Sequence, residues 1–134
     1  MDTYGDKVRL VFRDYPLPFH NNAHTASQAA QCAHEQGKFW PYHDKLFENQ
    51  QALEVDKLKQ YATQIGLDGP AFNECLDTGR YRSQVDQDYQ AGQAAGVTGT
   101  PSFFVNGRFL SGAQPFEAFR AIIDEELQLK GISR

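Results

Sequence analysis

The chain has 134 residues and a formal net charge of −4 at pH 7, with 40% hydrophobic and 22% charged residues. This length suits one folded domain over residues 1–134 with a single core. The sequence has no cluster of lysines and arginines, which nucleic acids and anionic membranes require, and no apolar run near the roughly 18 residues of a membrane span. We therefore expect neither nucleic acid nor membrane as a partner, and no cofactor.

Residues 7–13 are predicted to form a β-strand. Val8, Leu10 and Phe12 alternate with residues of the opposite face, which is the period of a half-buried strand. The prolines at positions 16 and 18 follow at once, and proline cannot donate to a sheet ladder. The sequence thus predicts one strand and then a stiff turn.

Five helices are predicted between about residues 22 and 95. Apolar residues recur at helical spacing, and glycines stand where helix C-caps belong. The first helix begins at Asn22 and carries a stripe of alanines before Gly37. The others are predicted over 39–47, 53–65, 70–79 and 80–95.

The last forty residues return to strand patterning. Two β-type runs flank Asn106-Gly107, the strongest short hairpin signal because a type I′ turn needs positive φ at both central residues. Pro115 then opens a final helix. The order strand, helices, hairpin, helix predicts an α/β fold with an inserted helical block.

Four sequence segments together resemble the DsbA-like branch of the thioredoxin fold, the exported thiol–disulfide oxidoreductases with a helical insertion. Residues 96–107 resemble the loop, strand and hairpin that follow the insertion. That segment is GVTGTPSFFVNG, and three others support it in the same order and spacing: VRLVFRDYPL at 8–17, AHEQGKFW at 33–40 and LFENQ at 46–50.

The resemblance implies a substrate-binding role for Thr100 and Pro101. In such proteins this dipeptide is the cis-proline loop, which presents backbone groups to an extended peptide. It also implies an extracytoplasmic or periplasmic location, although Met1–Thr3 does not read as a signal peptide.

The family's Cys-x-x-Cys motif and its first strand would precede residue 7, and neither is in this sequence. We therefore assign no catalytic residue and expect the chain to be redox-inactive, because no other pair of cysteines here is spaced for that chemistry. Loss of the central strand would leave an open sheet edge. We accordingly expect a homodimer or larger assembly through that edge.

Cys32 and Cys75, the chain's two cysteines, lie on apolar faces of predicted helices. The residues themselves allow a structural disulfide, two buried thiols or a redox pair, of which we favour the disulfide. Some DsbA-like proteins carry a second, non-catalytic disulfide in the helical block, and the resemblance implies the same here.

His20 and His24 are four residues apart, a spacing that suits a metal site on one helix. Asn22 as a helix start would place His20 outside that helix, and no further ligand is near in sequence, so we expect no metal site. The function predicted overall is a redox-inactive relative of the oxidoreductases. The alternatives are a non-catalytic peptide-binding or assembly module, which could bind unfolded protein, and a folded fragment without selected activity.

Overall fold

The computed structural model describes residues 3–131 and divides them into two compact units. Unit 1 contains the described residues up to Arg13 and from Gln93 onwards, and unit 2 is Asp14–Gly92. The secondary structure is mostly helical, with one two-stranded sheet.

Unit 2 is the helical block, and all five of its predicted helices are present. They are α1 (Ala23–Glu35), α2 (Phe39–Glu48), α3 (Val55–Gln64), α4 (Gly69–Asp77) and α5 (Arg82–Ala94), whose last two residues lie outside unit 2. Gly37 and Gly66 have φ of 74° and 84° just beyond α1 and α3, the left-handed conformation that ends helices. The local signals in the sequence are therefore sufficient to place the helices.

The core of unit 2 forms around the alanine stripe of α1. Ala29 and Ala33 are fully buried, and such small side chains let α2 and α4 pack close to α1. The larger side chains Tyr42, Leu58 and Phe72 fill the remaining space and are also fully buried. Tyr42 satisfies its hydroxyl by donating to the Leu58 carbonyl at 2.8 Å.

Unit 1 contains the hairpin and the final helix, both as predicted. Strands β1 (Ser102–Val105) and β2 (Arg108–Ser111) pair antiparallel with Phe103 opposite Leu110. The turn residues Asn106 and Gly107 have φ of 48° and 85°. Helix α6 (Phe116–Leu129) covers one face of this hairpin, where Phe119 meets Phe103 edge-on with ring centroids 4.8 Å apart.

The predicted strand over residues 7–13 is wrong. Gly5–Lys7 is a short 3-10 turn, and residues 8–17 have no regular secondary structure. Alternation shows which side chains share a face, but a strand exists only through ladder hydrogen bonds to a neighbour. Within residues 3–131 the sheet consists of β1 and β2 alone.

Candidate peptide-binding site

The segment Thr98–Pro101 lies directly before β1 in unit 1. The Thr100–Pro101 peptide bond is cis. Two hydrogen bonds fix the segment: the Gly112 N–H donates to the Pro101 carbonyl at 2.8 Å, and the Ser102 hydroxyl donates to the Gly99 carbonyl at 2.6 Å. The hairpin therefore holds Gly99 and Pro101 of this segment.

The residues of this segment are mostly exposed. Thr98, Thr100 and Pro101 are exposed, and in the described part of the chain neither threonine makes a hydrogen bond. The backbone N–H and C=O groups of Thr98 and Thr100 are thus available to a partner of extended conformation. Their role in binding substrate stays a prediction.

The hairpin has an open apolar face opposite α6. Phe104 and Phe109 are cross-strand partners with ring centroids 5.1 Å apart, and each is nearly half exposed. On the other face Arg108 reaches Glu125 and Glu126 of α6 at 3.4 Å each. The α6 side of the hairpin is therefore covered, while the opposite side presents two phenylalanines to solvent.

Cys32 and Cys75 form a disulfide that joins α1 to α4 in unit 2. Their Cα atoms are 5.9 Å apart, and the side chains are 1% and 2% exposed. Disulfide exchange begins with attack by a thiolate on a reachable sulfur. This bond is too buried for such an attack on the folded protein.

The two histidines singled out by spacing lie near each other, on the lining of one cleft in unit 2. His20 is in the turn before α1, as predicted, and His24 is in its first turn. Both ring nitrogens of His24 are engaged, Nε2 with Asp86 at 2.7 Å and Nδ1 with the Gln28 amide at 2.8 Å.

Two buried carboxylates in unit 2 have no counterpart in the sequence prediction. Asp14 and Asp88 are 3% and 8% exposed, and the Asp14 N–H donates to Asp88 Oδ2 at 3.1 Å. The pKa of Asp14 is raised to about 6, mainly because the carboxyl is buried; a 2.9 Å hydrogen bond from Gln31 opposes the shift, and the charge of Asp88 contributes to it. Gln31, which stands among the alanines of α1, indicates in the sequence that a buried polar partner could be present.

Comparison with known families decides the affiliation of the chain. A family model described as thioredoxin matches residues 2–125. The chain belongs to the thioredoxin family. This match confirms the thioredoxin-like part of the predicted resemblance. It does not distinguish the DsbA-like branch from other members of the family.

Curated relatives are similar to most of this chain but are much longer proteins. The chain is 41% identical over 117 residues to Na(+)/H(+) antiporter NhaA 3 of Salinispora tropica, covering 87% of this chain and 18% of that protein. It is 37% identical over 121 residues to Na(+)/H(+) antiporter NhaA of Herminiimonas arsenicoxydans, covering 90% of this chain and 19% of that protein. The chain thus spans less than a fifth of these relatives.

Proposed function

We propose that the chain is a DsbA-like member of the thioredoxin family that binds extended polypeptide at Thr98–Pro101 without redox turnover by its own cysteines. The observation that carries the proposal is that Thr98 and Thr100 are exposed residues whose backbone groups have no hydrogen-bond partner among the described residues. An extended peptide gains affinity from such groups through main-chain hydrogen bonds, as an added strand does at a sheet edge.

The cysteines support the redox-inactive part of the proposal. Thiol–disulfide exchange needs a reachable cysteine of lowered pKa and a resolving partner. The sequence contains two cysteines and no Cys-x-x-Cys motif, and these two are already bonded to each other and buried.

Replacing Thr100 with proline tests the binding site, because proline lacks the N–H that would donate to the peptide. The probe is a fluorescently labelled, cysteine-free peptide of alternating valine and threonine, and its anisotropy reports binding. We expect Thr100→Pro to weaken binding about tenfold or more, the cost of one backbone hydrogen bond lost from a desolvated contact.

Thr100→Ser is the matched control, since it changes the side chain and keeps the backbone donor and acceptor. We expect its affinity for the peptide to match that of the unmodified protein. Amide shifts of Thr98 and Thr100 in the unmodified protein give a second readout that does not depend on the folding of the proline variant. A peptide that leaves those shifts unchanged would overturn the proposal.

The names of the relatives favour a second candidate, that the chain is an accessory segment joined to a Na(+)/H(+) antiporter. The matched part of each relative is less than a fifth of its length, so the antiporter name describes mostly other sequence. Reading the coding region that adjoins this chain tests the candidate. An in-frame antiporter sequence supports it, and stop codons on both sides contradict it.

A further inference from the structure

A half-open cleft of about 260 Å³ lies wholly within unit 2. Its apolar walls are Pro16, Leu17 and Pro18, from the segment before α1, together with Tyr89 of α5. The Tyr89 ring stacks on Tyr15 with centroids 4.6 Å apart, and proline rings fix their own backbone. The walls of the cleft are therefore largely preformed.

The polar lining of the cleft centres on the carboxylate of Asp86. The Gln28 amide donates to His24 Nδ1 at 2.8 Å, so His24 carries its proton on Nε2 and donates to Asp86 Oδ1 at 2.7 Å. The second oxygen, Oδ2, accepts no hydrogen bond from the part of the chain that the structure describes. One oxygen thus orients the carboxylate, and the other is available to a ligand.

Among residues 3–131, the ion-pair partner of Asp86 is His24, and no lysine or arginine pairs with it. The other polar residues of the cleft are His20 and Asn21, and none of the described residues that line it is a lysine or arginine. Arg82, one turn earlier in α5, forms no ion pair with Asp86 within residues 3–131. A carboxylate beside proline, leucine and tyrosine side chains favours a cation that also has an apolar face.

We propose that this cleft binds the guanidinium side chain of an arginine presented by another polypeptide. A guanidinium is planar and weakly hydrated, donates to carboxylates and stacks on aromatic faces, whereas an ammonium is a compact, strongly hydrated charge. The cleft is smaller than the roughly 300 Å³ at which sites for drug-sized ligands begin. Its open side leaves room for the chain to which the arginine belongs. The proposal is independent of peptide binding at Thr98–Pro101.

Titration with N-acetyl-arginine methylamide, followed by backbone amide shifts of Asn21, Asp86 and Tyr89, tests the proposal. The matched probe is the citrulline counterpart, which has nearly the same shape and no charge. We expect the arginine probe to bind about fivefold more tightly than the citrulline probe, the scale of one partly exposed charge pair. We also expect it to bind more tightly than the lysine counterpart and than free arginine.

Asp86→Asn removes the charge and keeps the acceptor for His24, so the cleft should hold its shape. We expect this variant to bind the arginine and citrulline probes equally, and Glu74→Gln, at an exposed carboxylate of α4, to behave like the unmodified protein. Equal binding of the two probes by the unmodified protein would overturn the proposal. An unchanged preference in Asp86→Asn, or tighter binding of free arginine, would do the same.

Discussion

The buried carboxyl group of Asp14 should make the stability of unit 2 depend on pH. A carboxyl whose pKa is about 6 in the folded chain and about 4 in the unfolded chain binds its proton more tightly when folded. The folded state is then favoured by protonation, so this contribution to stability is present below about pH 4 and is lost as the pH rises through about 6. The contribution of this carboxyl to the free energy of unfolding falls by about 3 kcal/mol across that pH range.

Asp14→Asn should remove that dependence. We expect the variant to be more stable than the unmodified protein at pH 7 and to lose this advantage as the pH falls to about 4. The asparagine oxygen can still accept from Gln31, and the backbone N–H can still donate to Asp88. Urea unfolding followed by Trp40 fluorescence measures the free energy of unfolding, since Trp40 is the chain's one tryptophan and lies in unit 2.

Glu74→Gln is the control for Asp14→Asn, because Glu74 is exposed. Its free energy of unfolding should differ from that of the unmodified protein by a similar small amount at each pH. If the difference for Asp14→Asn is equally constant with pH, the carboxyl of Asp14 titrates normally and the argument from burial fails.

The sequence did not predict the contacts Asp14–Asp88 and His24–Asp86, because the two members of each pair are far apart in the chain. Asp14 meets Asp88 across 74 positions, and His24 meets Asp86 across 62. None of these three carboxylates carries a local sequence signal that separates it from a solvated surface residue. The Thr100–Pro101 segment was identified instead through a contiguous motif, which a single sequence does display.

At the scale of elements, the sequence predicted correctly the helices and the hairpin, whose formation depends on local interactions. Helices α1 to α6 follow from apolar periodicity and caps, and the hairpin follows from Asn106-Gly107. The strand predicted over residues 7–13 required a neighbour that periodicity cannot identify. Local patterning therefore predicts an element reliably only when the hydrogen bonds of that element are also local.

The bond between Cys32 and Cys75 should stabilise the packing of α1 on α4. It closes a loop of 43 positions, and chain entropy gives a disulfide of that span a contribution of about 2 to 4 kcal/mol. We expect the double variant Cys32→Ala, Cys75→Ala to lose that amount in urea unfolding. A reductant should destabilise the unmodified protein comparably and leave the double variant unaffected.

The same double variant separates a structural bond from a redox centre. Because both sulfurs are buried, neither the oxidised protein nor the variant should oxidise a dithiol reporter peptide. Turnover by the unmodified protein that disappears in the variant would show that the two cysteines exchange disulfides. A double variant as stable as the unmodified protein would show instead that the bond adds nothing to the fold.

At the scale of the whole molecule, the sheet formed by the described residues has two strands, so its outer edges are unpaired. Strand β1 pairs with β2 alone among them, and an isolated two-stranded hairpin is marginally stable in water. An unpaired edge is a template for another strand, and the open face adds Phe104 and Phe109, each nearly half exposed. We therefore propose that two copies of this chain associate through their hairpins.

Light scattering across a dilution series tests this association. We expect the unmodified chain to form a dimer that Phe104→Lys dissociates, because a buried lysine at this contact would lack a partner and charged side chains at sheet edges oppose strand addition. Phe47→Lys is the matched control, since Phe47 is an exposed phenylalanine of α2 in unit 2. A monomer at every concentration contradicts the proposal. A dimer that Phe47→Lys disrupts and Phe104→Lys does not would place the contact on the helical block instead.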